Sequence, residues 1–302
     1  METPAGGMKA EAARAKARLP ALGVLRVSGA DALDFLHGQF TADLQRLAPG
    51  RGSLAAWCNP KGRVLFLLDV LNAGDEGWLL LAPASELPAL AKRLRLYVLR
   101  AKVLIEEAYA QCLVIGLAGS AVPATLAATG ATARAGAVWL WRVAADPALA
   151  YAFGPHDAVA ALWDGVDAPV VDEACWEAFE IAALRPRIVA PLRERFLPQE
   201  LDLERLQGVH FDKGCYPGQE VIARLKYRGQ VKSGLHRAAS EAPAAAGDKI
   251  YRAGASASVG EVLRVAPRAD GSWALLTVLD FAAVEAPLHL RDAQGPRVTP
   301  ER

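Results

Sequence analysis

The strongest constraint on the fold is a change of pattern along the chain, from alternating strands and helices to short strands alone. Over residues 22–107, short apolar segments typical of strands alternate with two helical patterns, at 28–39 and 85–99. A weaker version of this order recurs over 111–163, which suggests an internal duplication and predicts a helix in the alanine-rich stretch 120–129. From residue 235, short β-type segments are separated by turn residues, as in a small antiparallel barrel. The sequence therefore predicts an α+β protein of two α/β halves followed by a C-terminal β-barrel.

This pattern sets the predicted domain boundaries. Residues 1–18 lack the apolar middle of a secretory signal and are predicted to form a flexible leader. The other predicted units are a first α+β half at 19–108, a second α+β half at 109–234 and the barrel at 235–302.

Composition excludes several function classes. The 302 residues are 53% hydrophobic and 22% charged with a net charge of +1, as in an ordinary globular protein, so an anionic partner would have to meet a local patch. The most apolar run, VLFLLDVL, is short and carries Asp69, so no membrane span is predicted and the expected location is the cytoplasm. The cysteines show no C-x-x-C spacing, which argues against a disulfide framework or a structural zinc site; they are Cys58, Cys112, Cys175 and Cys215.

One of these cysteines lies in an unusually constrained turn, DKGCYPGQE at 212–220. Gly214 and Gly218 allow backbone angles closed to other residues, and Pro217 suits the first position of a helix. Cys215 is then expected just outside a helix N-terminus and beside Lys213, both of which favour the thiolate. The sequence therefore predicts a reactive thiol at Cys215.

Other interpretations of this region remain open. The turn can be a purely structural one with a small buried residue, and His210 invites a Cys–His dyad of the thiol-hydrolase kind. The basic run that follows, from Arg224 to Arg237 with Tyr227 among the cations, is either a solvated face or an anion site. A second basic run, at 92–102, is interpreted as the exposed side of its helix.

The stretch FLPQELDLERLQGVHFDKGCYPGQEVIARLKYRG resembles the signature of the YgfZ-type folate-binding proteins, relatives of the glycine-cleavage T-protein. That family is marked by K-G-C-Y/F-x-G-Q-E, followed by A-R and K-Y/F-R-G. The upstream VSGADALDFLHGQFTADL and AAWCNPKGR are similar to two N-terminal segments of the family, so the resemblance spans roughly residues 20–300. The matching motif positions are Lys213, Gly214, Cys215, Tyr216, Gly218, Gln219, Glu220, Ala223, Arg224, Lys226, Tyr227, Arg228 and Gly229.

The resemblance implies a fold and a function. The fold would be two ferredoxin-like halves that form a central channel for a folate, followed by a small barrel. Family members are implicated in the assembly or repair of iron–sulfur enzymes, including tRNA-modifying ones, with tetrahydrofolate or a derivative as the ligand and the motif cysteine as the key residue. The implied partners are therefore folate and iron–sulfur client enzymes or cluster-assembly proteins, with tRNA contact a further possibility and no membrane.

The resemblance also implies roles for individual residues. Trp176 matches a family tryptophan at the folate site, and Arg224 and Arg228 are the cations expected at the folate tail. Lys213 and Arg224 would orient the thiolate of Cys215, while Lys226 and Arg228 would meet the folate tail or an acidic partner. One thiolate cannot hold a cluster that usually takes four, so Cys215 is expected to be at most a transient metal ligand, without a permanently bound metal. Cys58, Cys112 and Cys175 are interpreted as structural.

Two departures from the family pattern matter for the chemistry. T-proteins place a catalytic aspartate where this chain has Leu65 and Phe66, and Asp69 comes several residues later. The alternative function, a tetrahydrofolate-dependent aminomethyl or one-carbon transferase, is therefore the second choice, and independent turnover is not predicted. Where relatives carry a glutamate suited to a pterin, this chain has Ala182; Glu180 is expected to face elsewhere, and Leu22 replaces an expected aromatic residue.

Overall fold

A computed structural model describes residues 14–107 and 112–301. The first half is a five-stranded antiparallel sheet with two helices on one face. Its elements are β2 (Leu22–Ser28), α1 (Ala32–His37), β3 (Arg51–Cys58), β4 (Val64–Asn72), β5 (Trp78–Pro83), α2 (Leu87–Val98) and β6 (Leu104–Glu106), and the strand order is β3-β4-β5-β2-β6.

The second half is a six-stranded sheet that includes a strand from the start of the described chain. Its elements are β1 (Ala15–Arg18), β7 (Cys112–Ala118), β8 (Thr132–Ala135), β9 (Val138–Ala144), β10 (Leu149–Pro155), α3 (His156–Gly165), β11 (Val170–Val171) and α4 (Glu173–Ala182), and the strand order is β11-β1-β7-β10-β9-β8.

The third unit is a closed six-stranded barrel, preceded by helix α5 (Gln219–Arg228). Its strands pair in the order β12-β15-β14-β13-β16-β17, and their bounds are β12 (Ser233–Ser240), β13 (Lys249–Arg252), β14 (Ser258–Pro267), β15 (Trp273–Asp280), β16 (Leu288–Leu290) and β17 (Arg297–Glu301). The predicted fold class, two α/β halves followed by a small antiparallel barrel, is confirmed.

Strand β4 brings one carboxylate to the inner face of an otherwise apolar strand. Leu68 and Val70 pack under helices α1 and α2, whereas Leu67 and Leu71 pack on the opposite face of the sheet. Because side chains alternate along a strand, Asp69 shares the face of Leu67 and Leu71, which is turned toward the second half and the barrel. The run VLFLLDVLN is almost wholly apolar because both faces of this strand are covered.

Two predicted local structures are wrong. The leader prediction fails for residues 15–18, which form β1; Lys16 Nζ donates to the carbonyl oxygens of Trp163 and Val166, both at 2.7 Å, and so caps the end of α3. The alanine-rich 120–129 is not a helix but a short 3-10 turn and a loop, because Pro123 interrupts the segment.

Other boundary predictions have mixed outcomes. The barrel begins at Ser233, two residues before the predicted start. Residues 1–13 and the predicted boundary at 108/109 lie outside the described residues. Within the described part of the chain, no helix is long and apolar enough to cross a membrane.

Candidate functional site

The cysteine loop, residues 212–218, is fastened to the first half by Lys213. Its ammonium donates to three backbone carbonyl oxygens at the end of α1 and just beyond: His37 at 2.6 Å, Phe40 at 2.6 Å and Ala42 at 2.9 Å. Burial lowers the pKa of Lys213 to about 8. The three donors of the ammonium are used by this contact, so Lys213 acts as a clasp for the loop rather than as the predicted neighbour that tunes the thiol.

One of the two motif glycines is required for a close contact of the same loop. Gly218 has φ +81°, and a Cβ there would lie 2.5 Å from the carbonyl oxygen of Asn59 and 2.6 Å from Cα of Gly62. A side chain at this position would therefore collide with the N-P-K-G turn between β3 and β4. A Cβ on Gly214 would lie 3.4 Å from Nε2 of His37, which is close to an ordinary van der Waals contact. Gly218 is therefore the glycine that lets the loop lie directly on the first half.

Cys215 is exposed on this fixed loop, and it is the one cysteine of the described chain that is exposed. Burial raises the pKa of Cys58, Cys112 and Cys175, which suits their predicted structural roles. All four thiols are free. The described residues contain no group of three or more His, Cys, Asp or Glu side chains arranged to hold a metal.

The structure gives His210 a different partner from Cys215. Its Nδ1 accepts a hydrogen bond of 3.2 Å from the backbone N–H of Asp43, and burial lowers the pKa of His210. Its own backbone N–H donates to Thr41. His210 therefore helps to seat the loop on the first half, and the geometry does not support a Cys–His dyad.

The remaining motif residues divide into a buried set and an exposed set. Tyr216 is buried, and Gln219 Nε2 donates to the carbonyl oxygen of Lys213 at 3.4 Å. Helix α5 begins at Gln219 with Gly218 as its N-cap, so Pro217 precedes the helix instead of starting it, contrary to the prediction. The side chains exposed on α5 are Glu220, Val221, Arg224, Lys226, Tyr227 and Arg228.

A second constellation lies at the centre of the molecule, where three carboxylates meet three guanidiniums. We call it the ionic cluster; its members are Asp69, Glu177, Glu180, Arg185, Arg187 and Arg264. Arg185 Nη2 donates to both oxygens of Asp69, at 2.9 and 2.8 Å. Arg264, from barrel strand β14, bonds to both Glu177 and Glu180 on α4. The cluster therefore joins the first half, α4 and the barrel.

Glu180 is the most enclosed member of the ionic cluster, with no exposed surface. It accepts hydrogen bonds from the hydroxyl of Tyr151, from Nε1 of Trp176 at 3.1 Å, and from Arg187 and Arg264. Burial alone would raise the pKa of Glu180, but the nearby guanidiniums of Arg264, Arg187 and Arg185 outweigh it and hold that pKa below its usual value. The expectation that Glu180 faces elsewhere is wrong, since it points into the centre.

Two cavities adjoin the ionic cluster. The smaller has a volume of about 30 Å³, enough for a water molecule, and is lined by Leu22, Asp69, Glu180, Arg185 and Arg264 among others. The larger, which we call the cleft, measures about 520 Å³ and lies between the two halves. Ligand pockets usually measure 300–1,000 Å³, so the cleft is the one of the two that can take a cofactor.

The cleft combines apolar walls with a few charged groups. Its apolar surface comes from Leu54, Trp141, Val143, Ala183 and Leu206, and its charged groups include Asp69, Arg142, Asp146, Arg185 and Arg205. Arg142 and Arg185 already donate to backbone carbonyls, and Arg185 also to Asp69. Within the described residues, the one ion pair of Arg205 is with Asp202 at 3.6 Å and its side chain is half-exposed, so it retains donors for a ligand.

The predicted folate residues do not meet around one cavity. Trp176 is 2% exposed, packs against Gly116 of β7 and lines neither cavity, while Arg224 and Arg228 lie on the exposed surface of α5. Ala182 is half-buried at the end of α4. Trp176 instead donates a hydrogen bond from Nε1 to the carboxylate of Glu180.

The residues that the sequence prediction missed are Asp69 as a central carboxylate, Arg205 and the ionic cluster. A signal for Asp69 was present, because it is the one acid in a nine-residue apolar strand and period two places it on the central face. Arg264 carried no such signal, because its partners Glu177 and Glu180 lie more than 80 residues earlier in the chain. Arg205 carried none either, because the residues with which it lines the cleft, such as Asp69 and Arg142, are distant in sequence.

Comparisons with known proteins identify the family and the fold. The chain is 30% identical over 230 residues to the tRNA-modifying protein YgfZ of Vibrio vulnificus (strain YJ016), covering 72% of this chain and 67% of that one. It is 30% identical over 285 residues to the YgfZ protein of Yersinia enterocolitica, covering 89% and 86%. No family model matches the sequence.

The fold is similar to that of the glycine cleavage system aminomethyltransferase T from Bartonella henselae. The TM-score is 0.73 at 14% sequence identity, and the match covers 99% of this chain and 89% of that one. At this identity the likeness concerns the fold alone.

Proposed function

Because this chain belongs to the family of tRNA-modifying proteins named YgfZ, we propose that it binds a tetrahydrofolate and supports iron–sulfur enzymes, including those that modify tRNA, through the thiol of Cys215. The observation that carries the proposal is the exposed thiol on a loop that Lys213 and Gly218 fix to the first half.

The thiol can act in two ways within this function. As a thiolate it can lend one ligand to iron during assembly or repair, the remaining ligands coming from the client or a cluster-assembly protein, since clusters usually take four. It can also attack the carbon of a one-carbon unit carried by the folate at the formaldehyde level: a C–S bond forms as the C–N bond to the folate breaks, and the folate nitrogen keeps the electron pair and takes up a proton. In both cases the loop must present the sulfur to another molecule, which its exposure allows.

We place the folate in the cleft. Its volume suits a cofactor, its walls combine apolar side chains such as Leu54, Trp141 and Leu206 for the pterin and aminobenzoyl rings with polar groups, and Asp69 is a carboxylate within it. Arg205 is the guanidinium free to meet the carboxylates of the glutamate tail, in place of Arg224 and Arg228.

A one-carbon transfer to an amine is the second candidate function, because Asp69 lies in the cleft as an acid near the expected folate. However, both of its oxygens accept hydrogen bonds from Arg185, which leaves it poorly placed to exchange a proton with a ligand. We therefore favour folate binding without independent turnover.

Anaerobic calorimetric titration with tetrahydrofolate tests the cleft assignment. Arg205→Glu should weaken binding about tenfold or more, because a charge-assisted hydrogen bond to the tail is replaced by repulsion. Arg297→Glu, a charge reversal at an exposed position in β17, is the matched control and should bind as the wild type does. Equal affinities for Arg205→Glu and the wild type would place the folate elsewhere.

A further inference from the structure

The C-terminal half of α5 carries an exposed set of cations around one aromatic ring. We call it the α5 face; it consists of Arg224, Tyr227, Arg228 and the following Lys232. Residues 224, 227 and 228 are three and four apart, so they lie on one side of the helix. Within the described chain, the charged groups of Arg224, Arg228 and Lys232 make no hydrogen bond or ion pair.

The segment that carries the α5 face is positively charged. No acidic residue occurs from 221 to 240, whereas five cations do. Glu220 lies in the first turn of α5, and Glu204 is paired with Lys226. Beside Lys232, Ser233 donates to Glu200 and lies opposite Asp280 in the β12–β15 pair, so the acids near this face are at its edges. An anion approaching this side of the helix therefore meets unpaired guanidiniums that can take phosphate oxygens in bidentate fashion.

Tyr227 adds a feature that phosphate binding alone does not need. Its side chain is 70% exposed, and its ring packs against Phe211, with ring centroids 6.2 Å apart and planes at 69°. Lys226 Nζ lies 5.4 Å from the centroid of Phe211 on the same patch. A tyrosine supported in this way, yet largely open to solvent, offers a ring face on which an unstacked base can stack.

The second basic surface of the molecule offers a less available ring. On α2 and the turn after it, the exposed cations Lys92, Arg100 and Lys102 occur with Leu96 and Leu99, which are 68% and 89% exposed. The tyrosine of this surface, Tyr97, is 46% exposed, against 70% for Tyr227, and its ring packs edge-on against Trp57 with centroids 5.6 Å apart. That surface therefore provides a charge-matched control with a more covered ring.

We propose that the α5 face binds RNA, with the arginines on phosphates and Tyr227 under an unstacked base. The inference deepens the proposed function, on which it rests for the choice of tRNA as the probe. A ten-residue helix is about 15 Å long, so RNA held there lies within about that distance of the loop that carries Cys215. Direct contact with the tRNA would let the protein act where a client enzyme is modifying it.

Fluorescence anisotropy with an unmodified tRNA transcript, measured over a series of KCl concentrations, tests this assignment. Arg224→Gln/Arg228→Gln should weaken binding about tenfold or more at low salt. Each lost phosphate contact should also flatten the dependence of log K on log[KCl] by about 0.7 to 0.9. Tyr227→Ala should cost about tenfold with the slope unchanged, while Tyr227→Phe should retain binding because the ring remains.

Lys92→Gln/Arg100→Gln removes the same net charge from the α2 surface and should bind as the wild type does. If both double variants lose affinity equally, the attraction is a property of overall charge and the proposal is wrong. If the wild type does not bind the transcript even at low salt, the proposal is also wrong, and an acidic protein becomes the candidate for this face. Cys215→Ser should bind the transcript normally, so failure of the thiol function and failure of RNA binding are separate results.

Discussion

Glu180→Gln should lower the free energy of unfolding by about 3 to 5 kcal/mol, the usual cost of removing one partner from a buried ion pair. The substitution keeps the shape of the side chain but leaves Arg187 and Arg264 with one anion fewer in the fully enclosed centre. The change should appear as a lower midpoint of denaturant unfolding. Glu204→Gln is the matched control: Glu204 pairs with Lys226 at the surface, and its loss should cost less than about 1 kcal/mol.

The contribution of Glu180 to stability should depend on pH in the acid range. The native pKa of Glu180 lies below the value of about 4.3 expected in the unfolded chain. Its contribution to stability is therefore complete above that value and is lost as the pH falls toward the native pKa. The stability difference between wild type and Glu180→Gln should shrink as the pH is lowered below about 4. A stability difference that stays constant as the pH is lowered below about 4 would contradict the assignment of the ionic cluster as the central junction. Equal unfolding midpoints for Glu180→Gln and Glu204→Gln would contradict it as well.

Lys213→Met should loosen the cysteine loop and destabilise the protein by about 2 kcal/mol. Three carbonyl oxygens beside α1 lose their common donor, and partly buried acceptors left without a partner are costly. Hydrogen exchange over residues 212–218 should become faster. Mild denaturant should accelerate the alkylation of Cys215 less than it does in the wild type, because the loop of the variant is already loose. Lys213→Arg should rescue the clasp only in part, because a planar guanidinium cannot direct three donors at one converging set of carbonyls.

The pH dependence separates this clasp from an ordinary surface lysine. The native pKa of about 8 lies below the value of about 10.4 expected in the unfolded chain. Between these values the unfolded chain binds more protons, so the contribution of Lys213 to stability increases with pH. The difference in unfolding free energy between wild type and Lys213→Met should therefore be larger at pH 9.5 than at pH 7. Lys232→Met, an exposed lysine just after α5, should show neither effect; a Lys213→Met protein that behaves like this control would exclude the clasp.

The strands and the barrel could be predicted because each carries a local signal. The short continuous apolar run of β4 and the turn residues between the barrel strands are local features, which a single sequence reveals. The alanine-rich 120–129 misled because composition favours a helix there, while Pro123 and the path between β7 and β8 prevent one. The strand at 15–18 was missed because its partners, β7 and β11, lie about a hundred or more residues away.

The candidate site was predictable only as a list of residues and not as an arrangement. The sequence correctly indicated that Cys215 lies just before a helix and that Gly218 allows a close contact. It could not show that Lys213 turns toward α1, since that contact spans more than 170 residues of chain. Nor could it show that Trp176 serves Glu180 and that Asp69 meets Arg185, because both depend on how the halves and the barrel pack.

The central claim, that the thiol of Cys215 carries the function, is tested most directly in cells that lack the chromosomal copy of the gene. Such cells should contain less of the tRNA nucleosides made by iron–sulfur enzymes, quantified by mass spectrometry of hydrolysed tRNA. Wild-type protein and Cys175→Ser, a change at a half-buried thiol, should restore those nucleosides, whereas Cys215→Ser, expressed at the same level, should leave them near the level of the deletion strain. Full restoration by Cys215→Ser would show that the exposed thiol is dispensable and would contradict the account.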